Sequence, residues 1–199
     1  MVRPSLRNHL CLDRYGDFLL TRAIRPGRNL PIVPRQGFRM ATYATAAITV
    51  PVLVAAVSRE RLFETFLALL TPLGDEVDVL LERRESHDSS GQQSWREAME
   101  RTVLLSPFCA YEELLLDDGC TGVVVFSRTR PIEVHFDEHK LLIIYARDLE
   151  PFEAILRQQD VPRRDDLQLI TQGEHLHYSN PAFACSYDRL AHTLGMNRR

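Results

Sequence analysis

Two short, continuous apolar runs stand out along the chain, and a helical pattern follows each of them. The runs are VLVAAV, which begins at Val52, and LLIIYA, which begins at Leu141. Runs of this kind are typical of strands that are buried on both faces. The next segment in each case repeats apolar residues at helical spacing, namely Phe63, Phe66, Leu67 and Leu70 in the first and Leu149, Phe152 and Leu156 in the second. The pattern predicts a strand–helix unit that occurs twice.

The two units align with one another at an offset of 89 residues, and the similarity continues beyond the helices. A second apolar run follows each helix, at Val77 and at Leu167. The pattern Cys-x-Tyr-x-x-Leu-x-x-x-x-Gly then begins at both Cys109 and Cys185. Repetition in the same order indicates an internal duplication. We therefore expect an α+β (or α/β) fold in which two strand–strand–helix–strand–helix halves share a mixed β-sheet around a pseudo-twofold axis.

The duplication also sets the expected domain boundaries. Repeat 1 spans about residues 41–119 and repeat 2 about 130–195, within a single globular domain at 40–199. Residues 1–39 hold eight Arg and two Asp but neither Lys nor Glu. We expect them to form an Arg-rich, poorly ordered N-terminal arm.

One uncharged stretch of 19 residues, 40–58, is long enough to be considered as a membrane span. The second repeat favours a different interpretation, because RPIEVHF alternates in polarity and precedes LLIIYA by only four residues, DEHK. That arrangement predicts a β-hairpin, and by analogy the uncharged stretch is a hairpin as well. In the first repeat, SWREAME is predicted to add a helix, since Ser94 and Glu97 have the spacing of a capping box.

Composition excludes several classes of function. The net charge is −3, but the chain after residue 39 carries 16 basic and 25 acidic residues, so nucleic-acid binding is not expected except through the basic arm. The chain has one lysine, Lys140, which is not part of a phosphate-binding loop, and it contains neither G-x-G-x-x-G nor G-x-S-x-G. Four cysteines without a C-x-x-C pair, together with no visible secretory signal, favour reduced thiols and a cytoplasmic protein.

Two histidine-containing segments are candidates for metal chemistry. VHFDEHKLL holds His135, Glu138 and His139 in the H-x-x-E-H spacing of inverted zinc peptidases, but that chemistry needs a helix, and here a strand and a turn are predicted. GEHLHYSN places His175 and His177 on one face of an extended backbone. Together with Glu138, His139 or Asp137 of the turn, they can form a three-ligand site for zinc or another divalent metal.

Cys120 is the candidate for a reactive thiol. It opens a predicted buried strand and has no cysteine counterpart in repeat 2, unlike Cys109 and Cys185, which we expect to be buried packing residues. A thiol nucleophile needs a histidine nearby, and the sequence does not identify one for Cys120.

Three classes of function follow from these features. The sequence favours a non-catalytic module that binds a small ligand or a protein in the cleft between the halves, without a cofactor and without a membrane. The alternatives are a metal-dependent hydrolase with a His/Glu site and a thiol enzyme that uses Cys120. The metal hypothesis requires that residues 137–140 and 173–178 approach each other in the fold.

Overall fold

An eight-stranded antiparallel sheet forms the centre of the computed structural model, which describes residues 13–27, 32–45, 48–84 and 91–198. Its strands in chain order are β4 (Gly37–Ala44), β5 (Thr49–Ala56), β6 (Glu76–Arg83), β7 (Gln92–Glu100), β8 (Thr121–Ser127), β9 (Glu133–Phe136), β10 (Leu141–Tyr145) and β12 (Asn197–Arg198). Their order in the sheet is β12-β7-β6-β8-β9-β10-β5-β4. Two small sheets are separate from it: β1 (Arg14–Tyr15) pairs with β2 (Phe18–Leu19), and β3 (Ile24–Pro26) pairs with β11 (His175–His177).

Five α-helices within the described residues cover one face of the large sheet. They are α1 (Arg59–Leu69), α2 (Arg101–Ala110), α3 (Glu112–Asp117), α4 (Glu150–Gln158) and α5 (Pro181–Thr193), with 3-10 helices at Thr71–Leu73 and Ile170–Gln172. Alternate residues of β5 and β10, such as Leu53 and Leu142, join the helix-side core. The chain is therefore of the α+β class.

The mixed sheet expected from the sequence is antiparallel at each of its strand pairings. The physical reason lies in the crossover through α1, because three strands, β8, β9 and β10, lie between β6 and β5 in the sheet, and the two strands that the crossover joins are not neighbours. In the second half, the segment around Leu167 forms no strand. Leu167 and Leu169 instead bury their side chains against the opposite face of the sheet, before the 3-10 helix at Ile170–Gln172.

The structure differs from the predicted N-terminal arm over residues 13–27 and 32–39. Phe18, Ala23 and Ile24 are buried against the second face of β5 and β10, beside Val54. These apolar residues are interspersed with arginines. The composition of the segment therefore does not reveal that it packs on one face of the sheet. Residues 1–12 and 28–31 of the predicted arm lie outside the described residues.

The uncharged stretch at 40–58 forms a hairpin, as predicted, with β4 paired antiparallel to β5. Among the described residues, the structure contains no helix that is long and apolar enough to cross a membrane. The predicted helix at SWREAME is wrong, because these residues belong to β7. Leu80 and Leu81 of β6 pair with Trp95 and Ser94, and this pairing along β6 determines the local structure in place of the capping pattern.

Candidate metal centre

Three histidines from two distant parts of the chain meet at one edge of the molecule. The turn between β9 and β10 carries His139, and β11 carries His175 and His177. The ring centroids are 5.0 Å apart for His139 and His175, 4.8 Å for His139 and His177, and 5.2 Å for His175 and His177. One potential ligand nitrogen from each ring lies within 4.8 Å of the other two. The approach of residues 137–140 to 173–178, which the metal hypothesis requires, is thus present.

A tight turn of four residues, 137–140, presents His139. The backbone N–H of Lys140 donates to the carbonyl of Asp137 at 3.0 Å, and the N–H of Asp137 donates to the carbonyl of Leu141 at 3.1 Å. Lys140 has φ +63°, which matches a type I turn followed by a left-handed residue. Because a side chain in this conformation is unfavourable, Lys140 requires compensating contacts. Its buried ammonium group supplies one by donating to the carbonyl of Thr121 at 2.8 Å.

The short strand β11 holds the other two histidines through its pairing with β3. The pairing is extended at both ends, where Gly27 N–H donates to the carbonyl of Glu174 at 2.6 Å and Tyr178 N–H donates to that of Ala23 at 2.7 Å. Side chains alternate along a strand, so His175 and His177 lie on the same side. Segment 23–27 is therefore part of the site, although no side-chain pattern in the sequence indicates its role.

Each histidine has its Nδ1 atom within hydrogen-bond distance of an oxygen. These contacts join His139 to Asp137 Oδ2 at 3.0 Å, His175 to the Gly173 carbonyl at 2.8 Å and His177 to the Gly119 carbonyl at 2.6 Å. Carbonyl and carboxylate oxygens only accept, so Nδ1 carries the proton in all three rings. The Nε2 lone pairs of the neutral rings remain available to bind a metal.

The surroundings of the rings shift their pKa values in different directions. Burial lowers the pKa of His139, but its hydrogen bond to Asp137 and the nearby charges outweigh burial and bring the pKa above the ordinary value. Burial is the main reason that the pKa of His177 lies below its ordinary value, despite the Gly119 carbonyl. His177 is thus neutral near pH 7, the form in which imidazole binds a metal.

An open cleft of about 440 Å³ borders His175 and His177. It is lined by Arg84, Gly119, Cys120, Glu138, His175, Leu176 and His177. The Glu138 side chain is 21% exposed, and the Arg84 guanidinium lies 3.5 Å from its Oε1 atom. An open cleft beside the ligands is the property that separates catalytic metal sites from closed structural ones.

The other predicted site residues are placed as follows. Within the described residues, the two groups of potential metal ligands are His139 with His175 and His177, and His139 with Asp137 and Glu138. Cys120 lines the cleft but belongs to neither group. His135 lies in β9, with Nε2 3.0 Å from Glu133 Oε2, so the H-x-x-E-H spacing does not form a ligand set.

Cys109 and Cys185 were predicted to be buried, and both are exposed. They lie on the outer sides of α2 and α5, whereas Tyr187 of α5 is fully buried and donates its hydroxyl to the Leu81 carbonyl at 3.1 Å. The repeated Tyr, not the repeated Cys, therefore packs α5 against the sheet.

Comparison with protein-family models, with curated proteins and with solved structures finds no match to this chain. Its function has to be argued from the geometry of the site.

Proposed function

We propose that this protein is a metal-dependent hydrolase in which His139, His175 and His177 hold a divalent ion, with zinc as the best match. The proposal depends on one observation, namely that all three Nδ1 atoms are engaged by oxygens, which leaves the three Nε2 atoms for a metal. Two of these rings, His175 and His177, line the open cleft. Imidazole ligands suit zinc, and metal-binding histidines commonly donate their other N–H to a carboxylate or a carbonyl.

The dimensions of the cluster support this assignment. Nitrogens about 2.0–2.1 Å from a tetrahedral zinc ion lie about 3.4 Å from one another. The three histidine nitrogens lie within 4.8 Å of one another, so small side-chain rotations are sufficient to reach that spacing.

His139, His175 and His177 would supply three protein ligands, and catalytic zinc sites keep a further position open for water or substrate. A zinc ion held by these histidines would lower the pKa of a bound water and polarise the bond to be cleaved. Glu138, in the same cleft, is the group that can take a proton from the water and pass it to the leaving group. Arg84, 3.5 Å from Glu138, orients the Glu138 carboxylate.

A thiol enzyme is the second candidate function. It is favoured by the position of Cys120, which lines the same cleft as His175 and His177. A histidine whose Nε2 atom binds a metal cannot also serve as the base for a thiol, so the two functions exclude each other.

A non-catalytic module that binds a small ligand or a protein in this cleft is the third candidate function, and it predicts binding without turnover.

The internal duplication, with repeats at about 41–119 and 130–195, is proposed together with this function. The offset of 89 residues makes Val54 equivalent to Ile143, and these two residues lie opposite each other in the pairing of β5 with β10. A pseudo-twofold axis through that pair accounts for the register, and the contact between α1 and α4 supports this axis.

A cytoplasmic location of the protein also stays a prediction.

The first experiment is elemental analysis of the purified, untagged full chain by plasma mass spectrometry. We expect about one zinc ion per chain, lost in both His139→Ala and His177→Ala. His135→Ala is the matched control, because His135 precedes the same turn but lies outside the cluster. Absence of bound metal in the wild type, even after zinc is added, contradicts the proposal.

The second experiment separates the three functions by turnover. The zinc-loaded protein is assayed with 4-nitrophenyl acetate and bis(4-nitrophenyl) phosphate. For a hydrolase we expect Glu138→Gln to lower kcat by about 10²–10⁴ and Cys120→Ser to leave it unchanged. Loss of activity in Cys120→Ser favours the thiol enzyme, and stoichiometric zinc without turnover favours the binding module.

A further inference from the structure

We infer that Asp118 is a positioning residue of the metal centre, which holds both ligand-bearing segments in place through its buried ion pair with Arg83. The inference rests on the proposed function, because it assigns to Asp118 an effect on metal affinity. Asp118 itself does not touch the histidine cluster.

The ion pair is one of the most deeply buried polar features of the molecule. Asp118 has no exposed side-chain surface and the side chain of Arg83 is 7% exposed. Replacing a buried ion pair with well-packed apolar residues is often neutral or stabilising, so stability alone is a poor explanation for such a pair. Its position directly behind the candidate site indicates a different role.

The first link runs from Asp118 to His177. Asp118 Oδ2 accepts a hydrogen bond from Thr121 Oγ1 at 2.6 Å, and Oδ1 accepts one from the N–H of Cys120 at 3.4 Å. These bonds fix the path of residues 118–121, including the Gly119 carbonyl that accepts from His177 Nδ1. The Asp118 carboxylate therefore determines where the acceptor for His177 lies.

Two further links reach the same ligand-bearing segments from other directions. Arg83 donates through its second terminal nitrogen to Ser179 Oγ at 3.2 Å, two residues after His177. Lys140, which follows His139, donates to the carbonyl of Thr121 at 2.8 Å. The turn that carries His139 and the strand that carries His175 and His177 are thus both tied to the Asp118–Arg83 pair.

The test compares zinc affinities of full-length variants by competition with a chromophoric chelator at one pH. Loss of an outer-shell partner typically lowers metal affinity 10–100-fold, and we expect this loss for Asp118→Asn. Asp117→Asn is the matched control. Asp117 is also buried (1% exposed) and ion-paired, but its partners are Arg59 and the Arg22 N–H, which belong to neither of the two ligand-bearing segments. The Asp117→Asn variant should lose thermal stability and keep the wild-type zinc affinity.

A second variant covers the case in which Asp118→Asn does not fold. Ser179→Ala removes only the hydroxyl that receives Arg83, and we expect it to lower zinc affinity several-fold and to alter the visible spectrum of the cobalt-loaded protein. Affinities within twofold of the wild type in every folded variant overturn the inference, and so does an equal loss in Asp117→Asn. A wild type that binds no zinc refutes the proposed function itself, and the two failures are therefore distinguishable.

Discussion

The imidazole Nδ1 of His177 lies 2.6 Å from the carbonyl oxygen of Gly119, which joins two segments that are 58 residues apart in the chain. The same glycine donates its N–H to the carbonyl of Tyr178 at 2.7 Å. Residues 119 and 177–178 therefore form a backbone clamp that sets the tautomer and the orientation of one proposed metal ligand.

Gly119→Ala is expected to break this clamp. A Cβ atom at this position would lie 2.4 Å from the carbonyl oxygen of Ala23 and 2.9 Å from that of Tyr178, both backbone atoms that cannot easily move. We expect a loss of about 1–3 kcal/mol in the free energy of unfolding, together with weaker zinc binding. Urea unfolding and chelator competition measure the two effects. Gly122→Ala is the control, since its added Cβ would meet the nearest atom, the Phe136 carbonyl oxygen, at 3.5 Å.

Asp137→Asn tests the hydrogen bond that supports His139. The wild-type carboxylate receives His139 Nδ1 at 3.0 Å and the N–H of Leu141 at 2.8 Å. Asparagine can keep the second bond with its oxygen, but it then turns an N–H₂ donor toward His139 and disfavours the required tautomer. We expect zinc affinity to fall about 10–100-fold with the fold intact. Unchanged affinity in a folded variant, measured beside the exposed control Asp165→Asn, would show that Asp137 does not support the ligand.

Metal binding should stabilise the folded chain, because the three ligands come together only on folding. At a free zinc concentration 100 times Kd, the expected gain in unfolding free energy is about 2.7 kcal/mol. A calorimetric scan with and without a chelator would show it as a higher Tm in the presence of zinc. The His177→Ala variant should show no such difference, and an equal shift in that variant would indicate binding elsewhere.

Stability at acid pH should depend on Asp117. Burial raises the pKa of this carboxyl, but hydrogen bonds from Arg59 and from the Arg22 N–H outweigh burial and hold the pKa below its ordinary value. A carboxyl with a lowered pKa in the folded state stabilises the protein fully above its unfolded pKa of about 3.9 and loses that effect as the pH falls through the folded value.

Asp117→Asn should therefore be less stable than the wild type at pH 7, by about 1–3 kcal/mol for an imperfectly satisfied buried group. The difference should shrink as the pH falls below about 4, because the unfolded chain takes up a proton there while the folded Asp117, with its lowered pKa, still resists protonation. Urea unfolding at several pH values measures this difference in unfolding free energy. A difference that stays constant with pH would contradict the role assigned to the charge of Asp117.

The parts of the fold that depend on local periodicity were predictable from the sequence. The hairpins β4–β5 and β9–β10 and the helices α1 and α4 follow their apolar patterns. The structure of SWREAME was not predictable in this way, because pairing with β6 outweighs a local capping signal. The packing of residues 13–27 was not predictable from composition, because arginines dominate the composition of the segment, whereas Phe18 and Ile24 determine how it packs.

Only the side chains of the candidate site were predictable from the sequence, and the backbone groups that support them were not. His139, His175, His177 and Glu138 carry recognisable metal chemistry, and the structure brings them to one place. The outer acceptors at Gly119 and Gly173 are backbone carbonyls, which any residue supplies, so the sequence contains no sign of them. The pairing of β3 with β11 likewise depends on the backbone and becomes visible only in the fold.

That pairing between β3 and β11 also orders events during folding. Pro26 lies opposite His175, so the strand that presents two of the ligands is aligned by residues from the other end of the chain. Closing so long a loop is entropically unfavourable until intervening structure has shortened it. The hairpins β4–β5 and β9–β10, which are local in sequence, are therefore expected to form before β3 aligns β11. On the proposed function, a nascent chain that still lacks its last quarter also lacks His175 and His177 and is not expected to bind the ion.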